Sequence, residues 1–149
     1  MKIYNKQGQL IFENENLSRK QLIENNRKEL QGVNLWIKDL RGVNLIGANL
    51  KDANLGWSNL AGANLKGANL KGASLEKSVL WGADLRGANL ENVNLKGANL
   101  RGANLKGANL RGANLDEAVI KGANLKNAII EQALKKRLLY HSFDTNVIY

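Results

Sequence analysis

Apolar residues follow a single five-residue period over most of the chain. Leu or Ile stands at every fifth position from Leu30 to Ile130, which makes 21 positions, 19 of them Leu. Ala stands two residues before these positions in 14 repeats, and Asn stands one residue before them in 14. The commonest pair after the Leu is Lys or Arg followed by Gly, as in Arg101-Gly102. This repeat therefore determines the fold of most of the chain.

A period of five fits neither an α-helix nor a straight strand. An α-helix advances about 3.6 residues per turn, so a Leu at every fifth position would leave no apolar stripe. Side chains of a straight strand alternate between two faces, so successive Leu would point in opposite directions. All the Leu share one core only if the backbone turns once per repeat, with Leu inward from each short side and Ala inward near each corner. Gly suits the corner because it is conformationally free, and Asn suits it through local hydrogen bonds.

Four such corners close one coil of about 20 residues, and stacked coils pair as parallel β-ladders. Leu30 then lies in one inner column with the apolar residues at positions 50, 70, 90, 110 and 130. We therefore predict an all-β protein: a right-handed, quadrilateral parallel β-helix of about five coils, spanning residues 28–132.

The two ends of the chain lack the repeat and are predicted to be caps. Residues 1–27 predict a hairpin over residues 2–14 and a short helix capped by Ser18, with Gln21 three residues on. Residues 133–149 predict a helical cap followed by a tail. That apolar tail, residues 143–149, either covers the last coil, pairs with a second copy to give a homodimer, or is disordered.

The composition excludes several kinds of site but does not identify a function. The 149-residue chain has a net charge of +9 and no Cys, which favours acidic partners and fits a cytoplasmic protein. It has no apolar run long enough for a membrane span. The chain has one His, His141, no Ser-His-Asp set and no phosphate-binding loop. We predict no catalytic residue, no metal site and no cofactor.

The outward positions sort into stacked columns, and one of them is basic. The residues directly after the Leu on one side include four cations that should form a basic ladder: Lys66, Arg86, Lys106 and Lys126. Like charges at one strand spacing repel, and an anionic partner would relieve that repulsion. The alternative is an ordinary solvated surface, because Lys at such positions also blocks edge aggregation.

Departures from the repeat cluster at one corner. Large or charged residues replace Gly or small polar residues there or on the adjoining side: Trp36, Ile37, Lys38, Trp57, Lys77 and Trp81. Trp and cationic side chains are typical interface anchors, which predicts a protein interface. The alternative is that the N-terminal segment folds over this corner and buries it.

The run Ala98-Asn99-Leu100-Arg101-Gly102 resembles the pentapeptide repeat family, whose consensus is close to A-(N/D)-L-X-X. The resemblance covers roughly residues 28 to 132. The best characterised members of that family mimic B-DNA and bind DNA gyrase, so the resemblance implies a protein partner, with an enzyme of DNA metabolism as one candidate. DNA mimicry needs a negative surface, whereas residues 28–132 carry 14 Lys and Arg against 9 Asp and Glu.

Three functions remain open from the sequence. We favour a non-enzymatic protein that binds another protein. The alternative is direct, sequence-independent binding of nucleic acid through the basic faces, although the chain has few aromatic residues and no recognised nucleic-acid motif. The third is a passive structural solenoid.

Overall fold

The N-terminal segment forms a hairpin and a short helix ahead of the coils. The computed structural model describes residues 2–131. Strand β1 (Lys2–Tyr4) pairs antiparallel with strand β2 (Leu10–Glu13). Helix α1 (Arg19–Asn25) follows, and a 3-10 turn spans Arg27–Glu29. The Gln21 amide donates to Ser18 Oγ at 3.2 Å, and the Ser18 amide donates to Gln21 Oε1 at 2.9 Å, so these two residues form the predicted capping box.

Parallel bridges between residues 20 positions apart build the rest of the described chain, as in the bridge from Asn34 to Asn54. The bridges form four columns, which begin at Asn34, Asp39, Asn44 and Asn49. Four turn columns separate these bridge columns along the chain. The all-β architecture agrees with the sequence, while the right-handed, quadrilateral shape stays a prediction.

One repeat, residues 64–68, shows why this sequence closes such a coil. The Asn64 amide donates to the coil before, at Val43 O (2.9 Å), and the Leu65 amide to the coil after, at Asp84 O (2.7 Å). The Gly67 amide donates to Arg86 O (2.9 Å), and the Ala68 amide closes a β-turn onto Leu65 O (3.0 Å). The fifth amide, that of Lys66, donates to Asn64 Oδ1 at 3.3 Å. All five backbone N–H groups thus find acceptors, and Asn supplies the acceptor that the coils do not.

The core is a stack of Leu and Ala side chains along the axis of the coils. Repeat Leu residues from Leu30 to Leu110 are 0–1% exposed. Each buried Leu contributes about 1.5–3 kcal/mol before entropy is counted. Two fully buried polar residues stand at the inward Ala position, Ser58 and Ser78, and each hydroxyl donates to a backbone carbonyl three residues earlier. The core accommodates these two small polar residues because each hydroxyl is hydrogen-bonded.

The predictions for the C-terminal part of the chain lie outside the described residues. These are the helical cap over residues 133–149, the tail and the homodimer through it, and His141 lies in the same part of the chain. The division into segments 1–27, 28–132 and 133–149 likewise stays a prediction. No helix within residues 2–131 is long and apolar enough to cross a membrane.

Candidate interaction surface

The third position of each turn has a positive φ angle, which most repeats provide with Gly, as at Gly67 (φ 64°). Seven residues other than Gly adopt this conformation: Ile37, Asp52, Trp57, Lys77, Asn92, Glu117 and Asn127. Asp and Asn enter the left-handed region readily, whereas for other side chains it costs roughly 1–2 kcal/mol. The four residues that do not tolerate it well, Ile37, Trp57, Lys77 and Glu117, all lie in one turn column. Four of the five positions in this turn column are therefore strained, and the fifth is Gly97.

The strained side chains at this corner are open to solvent. Ile37 is 56% exposed and Trp57 is 55% exposed. The Lys77 ammonium lies 4.7 Å from the centroid of the Trp57 ring, in cation–π geometry. An apolar and cationic strip therefore runs over three successive coils.

Trp81 extends this surface across one bridge column into the next turn column. It is 60% exposed, and the half-buried Val79 lies in the bridge column between the two turns. Val79 replaces the repeat Asn, so the Trp81 amide lacks the side-chain acceptor that the Lys66 amide has. We call Ile37, Trp57, Lys77, Val79 and Trp81 together the Trp surface.

The N-terminal segment does not cover the Trp surface within the described residues, because the exposed fractions of Ile37, Trp57 and Trp81 all exceed one half. It does lie beside Trp36, which is 49% exposed. Of the two alternatives for this corner, the described residues leave the Trp surface open rather than covered by the N-terminal segment.

Lys38 does not belong to the Trp surface. It stands two residues before Leu40, at the inward position of the repeat, and its half-buried side chain lines a cavity of about 260 Å³ beside the hairpin. Trp36 lines the same cavity. The six residues singled out from the sequence thus divide between two places. The rule that the residue two before each Leu points inward already indicated this for Lys38.

The basic ladder is exposed but interrupted. Arg86 donates to the Asp84 carboxylate through Nε (2.8 Å) and Nη2 (2.6 Å), so this cation is already paired. These side-chain hydrogen bonds lower the pKa of Asp84. Asp84 Oδ1 also accepts from the Arg86 amide at 3.1 Å, as Asn64 Oδ1 does from the Lys66 amide in a regular repeat. Among the described residues, Lys66, Lys106 and Lys126 form no ion pair.

No group of three or more metal-ligating side chains occurs within residues 2–131. Buried polar side chains in that range all have hydrogen-bond partners, as Ser58 and Ser78 illustrate.

The chain belongs to the pentapeptide repeat family. The family described as pentapeptide repeats (8 copies) matches five overlapping segments, residues 29–62, 39–76, 53–92, 63–102 and 94–132, which together cover more than half of the chain. Members of this family are generally structural or interaction proteins rather than enzymes.

Several solved pentapeptide repeat proteins are similar to this chain. Rfr23 from the cyanobacterium Cyanothece 51142 is 40% identical, with 68% of this chain and 87% of that chain covered and a TM-score of 0.42. A protein from the Arabidopsis thaliana thylakoid lumen is 34% identical, with 72% and 74% covered and a TM-score of 0.49. HetL, involved in heterocyst differentiation regulation in Nostoc sp. strain PCC 7120, is 35% identical, with 66% of this chain covered and a TM-score of 0.42. The match spans only 58% of HetL. No curated protein matches the chain.

Proposed function

We propose that this protein is a non-enzymatic interaction module that binds another protein through the Trp surface. The carrying observation is that Ile37 and Trp57 hold large apolar side chains in the left-handed turn position and leave them in solvent. The left-handed conformation costs the free protein roughly 1–2 kcal/mol per residue. The exposed apolar side chains do not offset this cost, because apolar area that stays in water contributes no burial free energy. Residues that disfavour the free fold are candidates for a role in a complex.

The chemistry of the Trp surface matches that of binding hot spots. Trp is enriched among residues whose truncation weakens protein complexes, and it contributes area through a rigid side chain. Lys77 adds a cation beside the Trp57 ring. The net charge of +9 favours an acidic partner and raises its rate of association. We propose a partner with an apolar patch inside an acidic rim. An enzyme of DNA metabolism, encountered in the cytoplasm, is one candidate by family resemblance.

A supporting element of the proposal is the rigid rod on which the surface stands. We propose that the coils wind as a right-handed, quadrilateral β-helix, so that turn columns form straight edges. Side chains on such an edge are held by inter-coil hydrogen bonds such as Trp57 N to Glu76 O at 2.8 Å. A preorganised edge lowers the entropy lost on binding.

Capture from the source organism tests this proposal when variants are compared. Immobilised wild-type protein and the Trp57→Ala, Trp81→Ala double variant would be used side by side. The matched control is Ile46→Ala, which truncates another exposed apolar residue (43% exposed) outside the Trp surface. We expect at least one acidic protein that wild type and the control retain and the double variant loses, with a Kd at least about tenfold weaker in titration.

The role of the Trp surface would be contradicted if none of the three proteins retained a partner, or if all three retained it equally. Thermal melts accompany the capture, because both Trp side chains are more than half exposed and their truncation should leave the fold intact.

Direct binding of nucleic acid is the second candidate, and a specific feature favours it. Four exposed cations in two adjacent turn columns form no ion pair among residues 2–131: Arg101, Lys106, Lys121 and Lys126. Such a cluster would bind phosphates without sequence preference and with strong salt dependence.

Fluorescence anisotropy with duplex and single-stranded oligonucleotides at about 20 mM salt tests the second candidate. We expect Lys106→Glu, Lys126→Glu to abolish binding, and Arg86→Gln to change it little because Asp84 already pairs with Arg86. Wild-type protein without measurable affinity at this salt would leave these cations as ordinary surface.

A further inference from the structure

A cavity lies between the N-terminal segment and the first coil. Its volume is about 260 Å³. Its walls come from β1, the first residue of α1 and the first coil: Lys2, Ile3, Tyr4, Arg19, Asn34, Leu35, Trp36 and Lys38. We call it the N-terminal cavity. None of its lining residues is acidic, although three are cationic.

Two of those cations have no anionic partner within the described chain. Lys2 Nζ lies 3.3 Å from Glu13 Oε1, whereas Arg19 and Lys38 form no ion pair there. Both are half-buried. Partial removal of a cation from water without a partner is unfavourable, and a bound anion reverses that penalty.

Lys38 reaches the cavity because it occupies an inward position. The equivalent residues of the later coils are small, namely Ser58, Ser78, Ala98 and Ala118. A small residue at position 38 would continue the repeat without lining the cavity with a cationic residue. The sequence therefore departs from its own pattern at the one coil that borders the cavity.

Trp36 gives the cavity an aromatic wall, and Gly56 makes room for it. A Cβ atom at Gly56 would lie 3.2 Å from Trp36 Cδ1 and 3.4 Å from Asn54 Oδ1. Gly56 has no positive φ angle, unlike the other turn glycines, so backbone conformation does not require Gly there. Close approach of the indole does. Tyr4 is a second aromatic residue of the lining.

We propose that the N-terminal cavity binds a small organic phosphate. A phosphate has several acceptor oxygens and up to two charges, so it can satisfy a guanidinium and an ammonium together. The rings of Trp36 and Tyr4 provide the apolar contact for the organic part. A volume of about 260 Å³ lies just below the range of typical small-molecule sites, about 300–1,000 Å³, so the cavity suits a small ligand rather than a large cofactor.

Titration of a single-Trp protein tests the proposal. Trp57→Phe, Trp81→Phe leaves Trp36 as the only Trp of the three. The probes are adenosine 5′-monophosphate and glucose 6-phosphate, followed by Trp36 fluorescence and calorimetry. We expect saturable binding of at least one probe with a Kd below about 1 mM. Adenosine and glucose should not bind.

Three variants assign the binding to the cavity. Arg19→Ala and Lys38→Ala should each weaken it at least tenfold. Lys38→Ala should still fold, since later coils carry Ala or Ser at that position. Lys20→Ala is the matched control, because Lys20 is the next residue of α1, is exposed and does not line the cavity. It should bind like the parent.

Three results would overturn the proposal. They are no binding of either phosphate below about 10 mM, equal affinity in Lys38→Ala and Lys20→Ala, or succinate bound as tightly as the phosphates. The test is separate from the proposed protein partner, since Trp57→Ala, Trp81→Ala should retain phosphate binding.

Discussion

The Lys77 ammonium lies 4.7 Å from the centroid of the Trp57 ring, although both residues have the positive φ angles, 53° and 55°, that favour Gly. An exposed cation–π contact contributes about 0.5–1 kcal/mol. Two side chains in the left-handed region cost roughly 1–2 kcal/mol each. The contact therefore offsets only part of the strain, and this column is less stable than a Gly column would be. Binding, rather than folding, is the better reason for these residues.

Replacing Ile37 by Gly is expected to stabilise the protein. Ile37 is β-branched, has a φ of 53° and is 56% exposed, so Gly relieves strain and removes little packing. The greater freedom of Gly in the unfolded chain costs about 0.5–1 kcal/mol. We expect a net rise of up to about 1 kcal/mol in the free energy of unfolding, measured by urea denaturation. Asn127→Gly is the control, because Asn tolerates its φ of 59°, and it should change little. A loss of stability in Ile37→Gly that exceeds the control would contradict the strain argument.

A single-residue insertion after Leu85 should prevent folding of the coils beyond it. Leu90 is fully buried, and the insertion moves every later Leu one position out of phase with the core. Unsatisfied backbone amides would add to the lost apolar burial. Circular dichroism and thermal melts should show a large loss of structure.

The matched control is insertion of one whole repeat, Arg-Gly-Ala-Asn-Leu, after Leu85. It preserves the five-residue phase, so each Leu still points inward and each Asn still caps its turn. We expect a folded protein with cooperative unfolding. Wild-type stability after the single-residue insertion would show that the five-residue core is wrong.

Most of the fold could be predicted from the five-residue period because each residue of the repeat has one structural role. Leu65 fills the core, and Asn64 supplies the acceptor for the Lys66 amide at 3.3 Å. These roles are local, so they can be predicted from one repeat without knowledge of the rest of the chain. The tail beyond residue 131 has no repeat, and its predicted role stays a prediction.

The sites were harder to predict because they depend on packing between unlike segments. The N-terminal cavity exists only because β1 and α1 meet the first coil at Lys38, and no periodicity encodes that meeting. Asp84 and Arg86 stand two residues apart in the sequence, but they belong to different columns, so the column pattern alone does not predict their ion pair. The Trp surface was partly predicted, since its residues break the repeat. Its strain required φ angles.

Gly56 to Ala should have opposite effects with and without Trp36. In the wild-type background the new Cβ meets Trp36 Cδ1 at 3.2 Å, so the indole must shift, and we expect a loss of about 0.5–1.5 kcal/mol. In a Trp36→Ala background the main obstacle is gone. Ala at a φ that suits it then stabilises by about 0.4–1 kcal/mol through the unfolded state. Urea denaturation of wild type, the two single variants and the double variant gives the coupling free energy between Gly56→Ala and Trp36→Ala. Equal effects in both backgrounds would mean that Gly56 does not seat Trp36.

Asp84 to Asn should remove a small, pH-dependent part of the stability. The side-chain hydrogen bonds from Arg86 lower the pKa of Asp84 from its usual 3.8. A carboxyl with a lower pKa in the folded protein stabilises it above the unfolded pKa, and this contribution is lost as the pH falls through the folded value. Asn keeps the oxygen that accepts from the Arg86 amide at 3.1 Å, so the turn should survive. At pH 7 we expect the variant to be less stable by under about 1 kcal/mol, since the pair is partly exposed. The difference from wild type should shrink as the pH falls below 3.8, measured by urea denaturation across this range.

Asn104→Asp provides the reverse control, because it creates the same two-residue spacing with Lys106 one coil later. A difference between wild type and Asp84→Asn that is constant with pH would show that the Arg86 pair contributes nothing to the fold.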